Sequence, residues 1–179
     1  MSAEEQWVDV QGYAVSWPLL FEQEAAEITK TLGGFASAVE HFGSTAVPGL
    51  VAKPIVDILV GTGHTDVDAT VVTALGALGY EFLGEDGRRP GRFFFRKRGP
   101  HAFNLSIVPM GGDLWSENLR VRDFLRAHPD WAARYAEVKQ EALLRSPQSM
   151  LGYQDHKRDF VELLKQHARA WGEDSRVSH

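Results

Sequence analysis

The residues of this chain with the clearest chemical potential lie between Glu40 and Val60, in the run EHFGSTAVPGLVAKPIVDILV. Two apolar segments flank a loop that opens on Gly43, Ser44 and Thr45 and closes on Lys53 and Pro54. Asp57 then sits inside a short, β-branched run, IVDILV, which reads as a buried strand. A carboxylate there is costly unless it is paired, hydrogen-bonded or bound to a metal. A loop beginning Gly-Ser offers backbone N–H groups to an anion. Together they suggest a site for a phosphorylated ligand and a divalent metal, with Asp57 on the metal and Gly43, Ser44 and Thr45 on phosphate oxygens. The plainer alternative is a strand-ending turn and an Asp that accepts backbone hydrogen bonds.

Other groups are candidates to join that site. Lys53 can neutralise phosphate, pair with Asp57, or stand in solvent. Strand alternation sends one of Glu40 and His41 into the cleft, and Glu40 is the better supplementary metal ligand; otherwise it pairs with a helix arginine. Arg92, Phe94 and Arg96 share one face of a strand, so Arg96 is a candidate anion contact or part of a solvated edge. Arg122 and Arg126 are four apart on a helix and can grip phosphate by paired bonds, with Asp123 beside them. Tyr153 and Lys157 repeat that spacing, either at the ligand or in packing and a salt bridge. His101, His128 and His156 lack metal-ligand spacing, which argues against a zinc site.

The elements that must position these groups follow from periodicity. A polar lead carries Trp7 and Tyr13, which can dock on the body. Trp17-Pro18 opens a helix with Phe21, Ala25, Ile28 and Leu32 on one face, stopped by Gly33-Gly34. Strands are predicted over Ala36–Phe42, Pro54–Val60, Tyr80–Leu83, Arg92–Lys97 and Ala102–Val108. A helix over Val67–Leu78 has Thr65 and Asp68 at capping-box spacing. Phe103, Leu105 and Ile107 alternate with Asn104 and Ser106, which gives the last strand a polar face that can look at Asp57. From Leu114 three helices follow, Leu114–Ala127, one begun by Pro129, and one capped by Ser146-Pro147, with a frayed tail from Gly172. This is a single domain of α/β (α+β) class, residues 1–179: a small mixed sheet over about 13–110 and a helical cap over about 114–171.

Composition narrows the partners. Hydrophobic residues make up 44 % of 179, enough for a sizeable core. The net charge of −5 has no like-charge block, which disfavours nucleic acid. The absence of cysteine removes disulfides, thiolate metal sites and a Cys nucleophile. No basic start leads into an apolar core, and no run approaches the roughly 20 apolar residues that span a bilayer, so a cytoplasmic, membrane-free protein is expected.

The Glu40–Val60 run, the Gly-Tyr pair before a charged loop, FFFRK, VRDFLRAHPDWAARYAEVK, and Tyr153 with Lys157 together resemble the GrpB family over roughly residues 13–168. By resemblance that family joins the polymerase-β-type nucleotidyltransferases, whose pattern is a Gly-Ser pair, an Asp-x-Asp/Glu pair on a strand, and a further carboxylate on a neighbouring strand. Gly43-Ser44 and Asp57 match. Leu59 stands where the second carboxylate belongs, and Asn104-Leu105-Ser106 stands where GrpB members often carry His-x-His. The resemblance implies a fold of nucleotidyltransferase type, a nucleoside triphosphate as substrate, and Mg²⁺. Two readings remain open. One is a protein that binds a nucleotide or other phosphorylated small molecule and transfers a nucleotidyl group to a small acceptor. The other is a degenerate module that binds a ligand or assists a protein partner, since GrpB-like domains resemble one appended to some dephospho-coenzyme A kinases.

Overall fold

The computed structural model describes residues 9–177. Helix α1 (Ser16–Leu32) carries the predicted stripe inward, and Gly33, at φ 52°, ends it where a side chain would be strained. Strands β1 (Ala38–Phe42) and β2 (Ile55–Thr62) bracket the Gly-Ser loop. Helix α2 (Ala69–Ala77) leads into the strands β3 (Glu81–Glu85), β4 (Phe93–Lys97) and β5 (Ala102–Pro109). The chain ends in α3 (Asp113–Ala127), α4 (Pro129–Arg145) and α5 (Met150–Val177).

The five strands form one mixed sheet in the order β1-β2-β5-β4-β3. Only the central β2–β5 pair is parallel. The register sets Phe42 opposite Asp57, Asp57 opposite Asn104, and Asn104 opposite Arg96. Because side chains alternate, these residues share a face with Glu40, Leu59 and Ser106. The opposite face carries Val56, Ile58, Val60, Phe95, Leu105 and Ile107, packed under α1 and α2 in the main core. His41 lies on that apolar side, stacked on Phe21 at 4.8 Å.

A second core joins the loop to the cap. Val47 and Leu50 are buried among Phe124, Leu125, Tyr135, Leu164 and Ala168. The loop is therefore seated by its apolar residues, not left as a solvent flap. Its far end is tied to the N-terminal lead by a two-bond bridge between Gln11 and Ala52. Tyr13 packs edge-on against Trp17 at 5.5 Å, as the lead was expected to do, while Trp7 lies outside the described residues.

Three boundaries differ from the sequence reading. Asp68, not Thr65, caps α2, its carboxylate accepting from Val71 N–H at 3.0 Å. Ser146-Pro147 precede α5 without capping it; Ser149 does so, its hydroxyl accepting from Gly152 N–H at 3.0 Å. The tail expected to fray from Gly172 is assigned to α5 as far as Val177, and residues 178–179 lie outside the described residues.

Candidate functional site

Between the polar face of the sheet and the helical cap lies a cleft of about 500 Å³. Phe42, Gly43, Ser44 and Asp57 line its floor, and Leu114, Val121 and Leu125 of α3 form one wall. Gln154, Lys157, Arg158, Val161, Leu164 and Lys165 line the other, a single stripe of α5. Arg88 and Arg89 reach its edge from the β3–β4 loop.

Asp57 is held on both sides. Asn104 Nδ2 donates to its Oδ1 at 2.9 Å, and Arg98 Nη2 donates to Asn104 Oδ1 at 3.0 Å. Gly43, at φ 71°, lies so near that a Cβ there would stand 2.6 Å from Asp57 Oδ2. Burial pushes the Asp57 carboxyl up, opposed by the Asn104 hydrogen bond and by the charges of Lys53, Arg92 and Lys157.

Around this one acid gather three lysines. Lys139 is only 2 % exposed. Its Nζ donates to Ser44 Oγ, and to the Val51 carbonyl at 2.9 Å. Burial first, then the charge of Lys157, brings its ammonium down to about 7. Burial and the charge of Lys53 bring Lys157 down to about 8, with Asp57 pulling the other way. Lys53 is also lowered by burial, though Asp57 opposes this. None of the three has an ion-pair partner among the described residues. Each instead lies over a tyrosine ring: Lys139 over Tyr135 at 4.5 Å, Lys157 over Tyr153 at 4.9 Å, and Lys53 over Tyr153 at 5.9 Å. An aromatic face attracts a cation without neutralising it. Through Lys139, α4 grips that serine.

Of the other candidates, Arg122 lines the cleft while bonded within the protein, and the rest lie outside its lining. Thr45 does not line the cleft: it is buried, and its hydroxyl is hydrogen-bonded to His41 Nε2 at 2.9 Å. Burial and the charges of Arg126 and Arg122 hold His41 near 4, hence neutral. Glu40 does share Asp57's face, but Arg122 Nη1 donates to its carboxylate at 2.7 Å. Arg122 also bonds Asp123 at 2.7 Å and the His41 carbonyl at 3.0 Å. Arg126 Nε donates to the Ala46 carbonyl at 2.8 Å. This arginine pair thus clamps α3 to β1 and the loop. Arg96 pairs with Glu81 at 2.7 Å on the exposed edge, away from the cleft. Lys139, Tyr135 and Arg98 were not singled out from sequence. The signal for Lys139 was its place on the inward stripe of α4, four after Tyr135 and three before Ala142.

Leu59 is fully buried and roofed by Val108 and Trp115. Ser106 accepts from Arg92 Nε at 3.0 Å, and Arg92 pairs with Asp86 at 3.2 Å. Among the described residues no group of three His, Cys, Asp or Glu side chains is arranged to hold a metal. No described helix is long and apolar enough to cross a membrane.

A mixed sheet with helices on one face and a loop-capped cleft on the other defines a fold of nucleotidyltransferase type. A chain of the GLD-2/RNP-8 complex shares the fold alone, with a TM-score of 0.51, 8 % identity, and coverage of 75 % of this chain and 55 % of that one. The family model described as GrpB protein matches residues 7–167, and the chain belongs to the GrpB family. The crystal structure of the conserved protein GrpB from Enterococcus faecalis superposes with a TM-score of 0.82 at 30 % identity, covering 91 % of this chain and 99 % of that one. The UPF0157 protein BH1888 of Halalkalibacterium halodurans is 37 % identical over 88 % of this chain and 80 % of its own length. The UPF0157 protein YqkA of Bacillus subtilis is 27 % identical over 92 % of this chain. The chain spans about half of YqkA, 48 % of its length.

Proposed function

We propose that this chain binds a phosphorylated small molecule in the cleft between the Gly43–Lys53 loop and α5, a nucleotide being the ligand class that goes with the fold. The observation that carries the reading is the charge imbalance there. Lys157 lines the cleft, and Lys53, Lys139, Arg92 and Arg98 act on Asp57 from near it; the other acids of the lining, Glu117 and Glu162, are paired with Lys165, in a chain whose net charge is −5. Uncompensated buried cations are costly, and an anion relieves that cost. The apolar wall of Leu114, Val121 and Leu125 suits the non-phosphate end of such a ligand.

Nucleotidyl transfer to an acceptor would need further charge stabilisation at the reacting phosphate, usually from metal ions held by several carboxylates. The residues present do not fit such a pair of ions. Asp57 accepts from Asn104 on one oxygen, leaving one open oxygen where two ions need several, Leu59 lies under Trp115, and Ser106 and Asn104 accept from arginines. Binding without transfer is therefore the version the geometry supports best.

The test is a thermal-shift panel of nucleoside triphosphates, coenzyme A precursors and sugar phosphates on wild type and Lys157→Met. A ligand that binds only the folded state raises the midpoint. A shift for wild type that shrinks in the variant is expected. No shift with any phosphorylated compound would end the proposal and leave a protein partner as the leading reading.

A further inference from the structure

We infer that this cleft takes its phosphorylated ligand without a divalent metal, the ammonium groups of Lys53, Lys139 and Lys157 supplying the charge that Mg²⁺ supplies in phosphoryl-transfer sites generally. The inference rests on the reading of the cleft as a phosphate site and goes further in naming the ionic form of the ligand.

Mg²⁺ asks for oxygens in near-octahedral array, with at least one carboxylate free to face it. On this face of the sheet the side-chain oxygens, one of Asp57's two excepted, are already receiving N–H groups, and a single open oxygen is short of what the ion asks for. Asp57 Oδ1 accepts from Asn104, whose own oxygen accepts from Arg98. Ser106 accepts from Arg92, and Glu40 from Arg122. The remaining oxygen of Asp57 is backed against Gly43. A second acid at position 59 would displace nothing but a buried leucine beneath Trp115.

The positive charge a metal would bring is already present. Lys139 and Lys157 are driven toward neutrality by burial and by their cationic neighbours, so a further cation would raise the repulsion while a polyanion lowers it. An ammonium is a compact point charge with three donors, suited to phosphate oxygens in many orientations. Tyr135 and Tyr153 hold these ammonium groups in place while leaving their charge available. On this view Asp57 is an internal counter-ion, which a bound phosphate competes with, and not a ligand-holding group.

That role gives Asp57→Asn opposite expected effects under the two alternatives. The asparagine keeps an oxygen for Asn104 Nδ2 but removes the competing charge. A metal site would lose binding; a lysine site should gain it.

The experiment is isothermal titration of the full chain with inorganic pyrophosphate and with tripolyphosphate, each in EDTA and in excess Mg²⁺. Wild type, Asp57→Asn and Lys157→Met are compared, with circular dichroism to confirm that each is folded. The expected result is binding in EDTA, weakened by Mg²⁺ as it sequesters the phosphates. Asp57→Asn should bind at least roughly tenfold tighter and Lys157→Met at least roughly tenfold weaker, the scale of one unit charge about 12 Å away at an effective dielectric near 20. Heat seen only with Mg²⁺, or binding lost in folded Asp57→Asn, overturns the inference and leaves the phosphate reading standing. No heat from either probe in either buffer overturns both.

Discussion

The two faces of the sheet are built from the same strands by opposite rules. Along β2, Ile58 is fully buried among Val56, Val60, Leu105 and Phe95, an apolar layer closed by α1 and α2. One residue earlier, Asp57 points the other way into a layer of amide, hydroxyl and guanidinium groups. The first face holds the domain together through area removed from water. The second holds charges that do not cancel, and it does so by hydrogen bonds and tyrosine rings. The proposed ligand site rests on that difference, three lysines gathered around one acid.

The strongest way to break that contrast is to extend the polar face by one residue. Leu59→Asp places a second acid beside Asp57 in sequence but beneath Trp115, and should cost about 3–5 kcal/mol in urea unfolding. Added Mg²⁺ should not restore it; recovery by Mg²⁺ would mean that a metal site can form here. On the apolar face, Ile58→Ala should cost about 2–4 kcal/mol through the cavity it opens, with phosphate binding unchanged once the protein is folded. Gly43→Ala meets both a positive φ and the Asp57 carboxylate, and a loss of about 1–2 kcal/mol is expected together with weaker phosphate binding.

pH sharpens the comparison further. Lys139 and Lys157 titrate near 7 and 8 in the fold and near 10.5 when unfolded, so the unfolded chain holds more protons between those values. Their contribution makes stability rise with pH from about 7 toward 10.5, and fall as pH drops back through that window. Lys139→Met should flatten the slope, as should saturating pyrophosphate, which holds the lysines protonated. A slope unchanged by both would show that these lysines do not carry it. The smallest effect is expected from Arg96→Ala, which removes an exposed ion pair: under about 0.5 kcal/mol, with no change in phosphate affinity.

The faces themselves were legible in the sequence. Alternation in β2 and β5 put Asp57 and Asn104 together, and alternation in β1 sent Glu40 and His41 to opposite sides. Local spacing also located the helices, because an apolar stripe needs only neighbours three and four apart. What was hidden depended on distant partners. Arg122 and Arg126 looked like an anion grip, yet their bonds go to Glu40, His41 and Ala46, some 80 residues away in the chain. Lys139 drew no notice on its helix, and the seating of Ser44 and Val51 beneath it is what marks it. Caps failed for a smaller reason. Two candidate hydroxyls or carboxylates lay within a few residues at α2 and α5, and backbone geometry chose the nearer one.

Helix α5 is unbroken over 28 residues, and one stripe of it walls the cleft from Gln154 to Lys165. At 1.5 Å per residue, Lys157 and Lys165 stand about 12 Å apart along its axis. The helix is thus a graduated rule laid beside the proposed ligand: its inner mark sits in the lysine cluster, and its outer mark is held by Glu117 and Glu162. A molecule with one anionic group reads only the inner mark. A longer one, with anionic groups at both ends, can be measured against the whole scale. Deleting one helical turn between the marks would shorten that scale by about 5 Å without touching the phosphate end.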